Sequence, residues 1–510
     1  MSTETIEESA EGLRKGLKNR HIQMIALGGA IGTGLFYGSA EGIQLAGPSI
    51  LIAYAIGGAA IFLVVRALGE MVVHRPASGA FSRYANDYWS PRAGFVAGWS
   101  YWFLYIFVSM SELVVVGKYI QYWWPSVPEW VSALVFLILI TSANLVGVKA
   151  FGEFEFWFAM IKVVAVIGMI VLGTYLIISG TSTGSGPAPA WSHLFDDGFM
   201  PFGINGLLMC LAVVMFSFGG MELVGIAAGE TEDPERTIPK AINQLVYRIL
   251  IFYIGALAVV MSVIPWRDIN GKSSPFVQIF DSVGITAAAH ILNIVVLTAA
   301  LSVFNSGLYS NGRMLYTLAR QGSAPRFLGR LSAQRVPRNG ILLSSGIIGV
   351  VVVVVLFFSR DTAFSFFMST TLASVIITWA MILITHSKFR RHLGPDKVAK
   401  LSFKLPGGLV SSVVAMAFFV LVVVMMWRNP NYRLAVIILP IWLTVLLIGY
   451  ELKTRVLQSG TGGAPHSDAG GARVDSHAAG GHAVPEADAA ITGDGAVPGD
   501  GDTQRFAPKR

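Results

Sequence analysis

Long apolar runs separated by short polar loops dominate this chain from Ile22 to Leu452. Each run is close to the ~20 apolar residues that a helix needs to cross a hydrocarbon core about 30 Å thick. The pattern predicts an all-α polytopic membrane protein with twelve transmembrane helices. Their centres fall near Gly32, Ala59, Phe107, Leu139, Ile167, Phe216, Leu257, Ala300, Val351, Ile376, Val420 and Leu443.

Two runs are interrupted by glycine. The first interruption is Gly28-Gly29-Ala30-Ile31-Gly32-Thr33-Gly34-Leu35-Phe36, and the second is Phe216-Ser217-Phe218-Gly219-Gly220-Met221-Glu222-Leu223. Backbone polar groups cannot stay unpaired in lipid, so a break at membrane depth must be buried in protein or face a water-filled cavity. Broken helices 1 and 6 at corresponding positions of two halves point to a substrate site at the midplane of a secondary transporter. The halves cover about residues 21–180 and 200–390, with helices 11 and 12 (about 409–455) outside them. Five spans in each half make the second enter the membrane from the opposite side, which is an inverted repeat.

Each break has a competing reading as a helix-packing surface of small residues, and Gly28-x-x-x-Gly32 fits that pattern. Together they favour a site. Amides freed around Ala30, Ile31, Gly32, Thr33 and Gly34 would cradle an anion at the start of a half-helix. Carbonyls freed around Phe216, Ser217, Phe218, Gly219 and Gly220 would accept from an ammonium, with aromatic faces closing over it. A carboxylate nest opposite an ammonium acceptor describes an α-amino acid.

Composition agrees. Of 510 residues 54% are hydrophobic and 13% charged, with mean hydropathy +0.62. A soluble domain carries about 25% charged residues. The net charge of +7 lies in loops between apolar runs and is no nucleic-acid signal; the partners expected are an amino acid, protons and the lipid bilayer. The single cysteine, Cys210, sits in an apolar run and reads as a buried small hydrophobe. The start, with Glu4, Glu7, Glu8 and Glu11, lacks the basic opening of a signal peptide. Residues 1–20 read as a tail. Residues 456–510, rich in Gly, Ala, Asp and Pro, read as a disordered tail in which His466, His477 and His482 are solvated.

Loop charges set an expected orientation. Arg14, Lys15, Lys18 and Arg20, then Arg75, Arg83 and Arg92, Lys149, Arg236 to Arg248, Arg313 to Arg338 and Lys388 to Lys404 fall on one side. The other side holds little beyond Arg267, Lys272, Arg360, Arg428 and Arg433. The positive-inside rule then places both termini in the cytoplasm. Tyr122, Trp123, Trp124 and Trp266 read as interfacial anchors.

Ionisable residues inside the spans are functional candidates by default. Lys162 lies about 15 Å into its span at ~1.5 Å per residue, where a lysine costs about 2.5–3.5 kcal/mol or more. It could bind and release a proton, or act as a fixed charge that replaces a structural cation. Glu112, well inside a span, and Glu222, in the second break, are the companion candidates for proton coupling. Glu153 and Glu155 read as interfacial and solvated, although Glu155 can share a helix face with Lys162. Arg66 and Glu70 read as an i,i+4 ion pair. Gly229 to Lys240 reads as a helical loop element. No metal-spaced cluster, phosphate loop or nucleophile triad stands out, so no metal, no catalytic residue and no cofactor beyond the coupling proton is expected.

At Leu17-Lys18-Asn19-Arg20-His21-Ile22-Gln23, at the two breaks and at Phe151-Gly152-Glu153-Phe154-Glu155-Phe156-Trp157-Phe158, the chain resembles the bacterial amino acid permease branch of the amino acid–polyamine–organocation (APC) superfamily. The resemblance runs from about Leu13 to Leu452. Tyr119 to Trp123, Tyr247 to Gly255 and Ile377 to Ile382 are similar to aromatic amino acid and phenylalanine permeases. Sister permeases for other neutral amino acids or γ-aminobutyrate share most of the frame. The resemblance implies a LeuT-like five-plus-five inverted repeat and amino acid:proton symport. It places the substrate carboxylate on the amides of Thr33 and Gly34 and the ammonium on carbonyls near Ala30, Phe216 and Gly219, under a Phe216 lid. It also implies that Lys162 stands where relatives hold sodium, against Ser302 or Ser306 of the eighth span. A proton-independent exchanger, a receptor that barely transports and a membrane-embedded enzyme are the alternatives; the sparse midplane polar residues disfavour the last.

Overall fold

The computed structural model describes residues 17–461 apart from 31, 78, 182–186, 270–273, 283–285 and 358–359. Both tails, with the tail histidines, lie outside the described residues, apart from the last few of the N-terminal stretch and the helix end past 455. Among the described residues the chain is helical, and nine helices are long and apolar enough to cross a membrane.

The helices that matter for the site follow in chain order. α1 (Asn19–Ala30) stops at the first break, and after a π-helical turn (Gly34–Gly38) α2 (Ser39–Ala46) continues. α3 (Ile50–His74), α4 (Pro91–Gln121), α5 (Glu129–Val146) and α6 (Val148–Ser179) come next. α7 (Gly203–Ser217) stops at the second break, and α8 (Leu223–Ala227) resumes beyond it. α9 (Pro234–Asn243) and α10 (Ala256–Val263) belong to one apolar stretch. α11 (Thr286–Arg320), α12 (Arg338–Ile348), α13 (Val350–Phe357), α14 (Arg360–Leu393), α15 (Gly408–Arg428) and α16 (Pro430–Thr461) complete the set. Nine of the expected centres fall in the nine continuous spans; Gly32 falls at the first break, and Phe216 and Val351 fall in the shorter helices α7 and α13.

Burial separates the spans. α4, α11 and α14 are mostly covered by protein, whereas α5, α6, α15 and α16 present apolar side chains outward. Ile437, Ile441, Val445 and Ile448 on α16 are exposed. In water such a face would be costly; against lipid tails it costs nothing. Polar ties fix the inner helices: Trp102 Nε1 donates to Ser344 Oγ at 3.0 Å, and Asn293 Nδ2 to the Tyr119 carbonyl at 2.8 Å.

At the end of the bundle where α1 begins, Leu17 pairs in parallel with Thr231. Its amide donates to the Glu230 carbonyl at 3.2 Å and its carbonyl accepts from Glu232 at 3.3 Å. Arg20 pairs with Glu153, and His21 Nε2 lies 3.2 Å from the same carboxylate. Gly229 to Lys240 is the expected loop element, with Asp233 capping α9 through the Arg236 amide at 3.4 Å. Cys210 is buried.

Three expectations change. Arg66 and Glu70 do not form a pair with each other: Glu70 accepts from Arg390 at 2.6 and 2.8 Å and faces His386 at 3.2 Å. Arg66 instead donates to the Lys404 carbonyl at 2.7 Å and to Asn243. Trp266 is buried against Phe202 rather than presented at an interface. Glu155 is fully buried, for a reason given below.

Candidate functional site

The two breaks meet. A Cβ on Gly34 would come 2.6 Å from the Cα of Ser217, so only glycine lets the two backbones approach this closely. At the first break the Gly32 carbonyl accepts from Leu35 at 3.2 Å. The first amides of a new helical stretch have no acceptor within it, which leaves the Thr33–Gly34 region as a donor edge. At the second break the chain turns through short steps: Phe218 to Met215 at 3.2 Å, Gly219 to Phe216 at 3.1 Å and Leu223 to Gly220 at 3.1 Å. Gly220 adopts φ +98°, a conformation that costs an L side chain dearly. A carbonyl with one donor keeps a second lone pair, so Phe216 and Gly219 can still accept.

Aromatic side chains pin the second break. Tyr54 Oη lies 3.0 Å from Ser217 Oγ, and Tyr253 donates to the Ser217 carbonyl at 3.0 Å. Both rings pack on Phe218, with centroids 5.7 and 5.0 Å away. Phe218 is therefore a core residue that holds the turn, not part of the cavity wall.

One cavity, about 610 Å³ with its open mouth included, is bounded by both breaks. Gly32, Thr33 and Gly34 line one side; Phe216, Ser217, Gly219 and Gly220 line the next. α4 supplies Leu104, Tyr105, Val108 and Glu112, and α11 supplies Ser302, Val303 and Ser306. Thr371 and Val375 of α14 close the wall, with Leu223 and Glu155. Ligand clefts are mainly apolar with a few placed polar groups, and this lining has that make-up. Ile31 lies outside the described residues, and Ala30 is described as the last residue of α1.

Acid and base groups gather at one flank. Glu112 Oε1 accepts from Thr33 Oγ1 at 2.7 Å, while its Oε2 is buried with no hydrogen-bond partner. Lys162 Nζ donates to Ser302 Oγ at 2.9 Å, and Ser302 Oγ donates to Glu155 Oε1 at 2.5 Å. Asn305 donates to Glu155 Oε2 at 3.4 Å and accepts from Asn144 at 2.9 Å. Lys162 stands behind the wall and reaches it through Ser302. Glu222 is buried but does not line the cavity; its Oε2 accepts from Trp379 Nε1 at 3.2 Å. Among the described residues no His, Cys, Asp and Glu cluster could hold a metal ion.

Glu155 is the site residue that sequence reasoning missed. α6 begins at Val148, which puts Glu155 about two turns inside it. Two residues earlier, Glu153 points away toward Arg20 and His21, because positions i and i+2 do not share a helix face. The seven-residue step from Glu155 to Lys162 was the available signal.

Comparison with known proteins agrees with this architecture. Residues 21–458 match the family described as amino acid permease. The aromatic amino acid transport protein AroP of Escherichia coli is 49% identical over 456 residues, 89% of this chain and 98% of that protein. AroP of Salmonella typhimurium is 48% identical over 454 residues, again 89% and 98% of the two chains. An uncharacterized amino acid permease of Bacillus subtilis, YtnA, is 46% identical over 446 residues, 87% of this chain and 96% of its own. With a multi-pass helical fold, two broken helices facing one cavity and a family match over most of its length, the chain belongs to the amino acid permease family.

Proposed function

We propose that this permease is an amino acid:proton symporter that imports aromatic amino acids (phenylalanine, tyrosine and tryptophan) across the bacterial cytoplasmic membrane by alternating access. In this reading both termini are cytoplasmic, the twelve spans include a five-plus-five inverted repeat, and the proton is the coupling ion. The cavity shared by the two breaks carries the proposal. Its donor edge at Thr33 and Gly34 suits a carboxylate, and carbonyls at Phe216 and Gly219 suit an ammonium, with the Phe216 ring beside them. The apolar wall of Leu104, Val108, Val303 and Val375 suits a hydrocarbon side chain. The names of the AroP relatives favour an aromatic one.

Glu112, Lys162 and Glu222 are the proposed proton-coupling groups. Glu112 touches the Thr33 hydroxyl at the substrate nest, so a proton on its carboxylate would remove a negative charge beside the substrate's own. A zwitterion carries no net charge, so the co-transported proton carries the electrical work. A potential of about 150 mV supplies about 3.5 kcal/mol per proton, enough for accumulation of a few hundredfold.

The test is uptake of labelled phenylalanine into proteoliposomes, with and without an inward proton gradient, against a panel of unlabelled amino acids and γ-aminobutyrate. Gradient-driven uptake blocked mainly by phenylalanine, tyrosine and tryptophan is expected. Uptake that ignores the gradient and needs amino acid inside the vesicle would replace symport with exchange. A block by small neutral amino acids alone would discard the aromatic assignment.

A further inference from the structure

Among the described residues, Glu112 Oε2, Ser306 Oγ and Thr371 Oγ1 are buried polar atoms of the cavity lining with no hydrogen-bond partner. Glu112 belongs to the flank beside the first break, through Thr33. Ser306 follows Ser302 by one turn of α11 and belongs to the same flank. Thr371 stands apart, on α14, a helix without a break.

The neighbours of Thr371 make it conspicuous. Thr370 donates to the Phe366 carbonyl at 2.9 Å, Ser374 to Thr370 at 2.8 Å and Thr378 to Ser374 at 3.0 Å. Each hydroxyl finds the carbonyl four residues back, the local solution open to Ser and Thr in a helix. Thr371, only 4% exposed, does not take it. A buried hydroxyl without a partner in a cavity wall is a group waiting for one.

Thr371 shares the cavity wall with the apolar residues Leu104, Val108 and Val375. If the α-carboxylate and ammonium are anchored at the breaks, the substrate's side chain is left to the walls supplied by α4, α11 and α14, of which Thr371 is part. This rests on the functional reading above.

We propose that Thr371 reads the far edge of the substrate ring. Its hydroxyl pairs with the phenolic hydroxyl of tyrosine and is left unpaired by phenylalanine. A site with a hydroxyl placed for a substrate hydroxyl discriminates against the analogue that lacks it. Water can occupy the position in the empty cavity, so the net gain is that of one neutral hydrogen bond, about fivefold in affinity.

Competition against labelled phenylalanine uptake tests this in proteoliposomes of the full chain, with tyrosine and 4-methylphenylalanine as competitors. The two are nearly equal in size, and only tyrosine offers a hydroxyl. Wild-type protein should favour tyrosine by about fivefold. Thr371→Val should bring the ratio to about one, and Thr371→Ser should keep it. A wild-type ratio of one, or a ratio unchanged in Thr371→Val, overturns the assignment while the aromatic reading stands. A wild-type protein that takes up no aromatic amino acid overturns both. If Thr371→Val fails to insert, the wild-type ratio and Thr371→Ser still decide.

Discussion

Two buried groupings of acid and base in this molecule are built differently. At the α1 end, Arg313 and Glu230 form a forked pair: Nε donates to Oε1 at 2.8 Å and Nη2 to Oε2 at 3.4 Å. The guanidinium also lies 3.6 Å from the centre of the Tyr309 ring, which stacks on Phe151. Beside the cavity, the charges of Lys162 and Glu155 meet at Ser302, and neutral Asn305 and Asn144 extend the chain. The forked pair commits both carboxylate oxygens to one permanently charged partner. The serine-bridged group relies on neutral hydroxyl and amide groups that can serve a carboxylate in either protonation state. The first suits a fixed strut, and the second suits a group whose charge changes during transport.

The strut should be the more costly to damage. Removing one partner of a buried pair leaves an uncompensated charge and costs about 3–5 kcal/mol. Arg313→Met should therefore lower thermal stability in detergent markedly. Arg313→Met with Glu230→Leu should recover much of the loss, because a well-packed apolar replacement of a buried pair is often neutral. Single and double variants of equal stability would mean that the pair is not a strut.

Lys162→Ala should act on transport more than on the fold. We expect gradient-driven accumulation to fall from a few hundredfold to the level of simple equilibration, a loss of about 3.5 kcal/mol of driving free energy at about 150 mV. Substrate binding should persist, read by protection against thermal unfolding. Wild-type accumulation in this variant would remove Lys162 from the coupling machinery and erase the contrast with Arg313.

The sequence reveals these regions unequally. Both helix breaks are legible because glycine runs inside apolar segments are a local signal, and Lys162 is legible because a lone cation interrupts one. Ser302 as a partner of Lys162 follows only from the family resemblance, and the structure places it at 2.9 Å. Long-range partners are not legible. Glu70 has Arg66 in i,i+4 register, yet it binds Arg390, which lies 320 positions away. Glu155 and Glu153 differ by two positions and face opposite environments, a distinction that depends on the rotation of α6. Phe218 and Phe216 look alike in sequence, but the turn sends one ring into the Tyr54–Tyr253 cluster and the other to the cavity. Thr371 is hidden in a run of hydroxyl residues, and only the bonding of its neighbours singles it out.

The mildest change tests the bridge itself. Ser302→Ala removes the acceptor for Lys162 Nζ and the donor for Glu155 Oε1 while leaving both charges in place. Serine and alanine are close in size, so packing around α11 should hold. A hydrogen bond to a charged group is worth about 1.5–3 kcal/mol, so the proton concentration that half-saturates uptake should shift by roughly tenfold or more with accumulation still possible. Ser344→Ala, which removes the hydroxyl that accepts from Trp102 elsewhere in the bundle, should leave that value unchanged. A Ser302→Ala protein as uncoupled as Lys162→Ala would make the serine an obligatory relay rather than a bridge. A protein identical to wild type in its proton dependence would mean that the lysine and the carboxylate act without it.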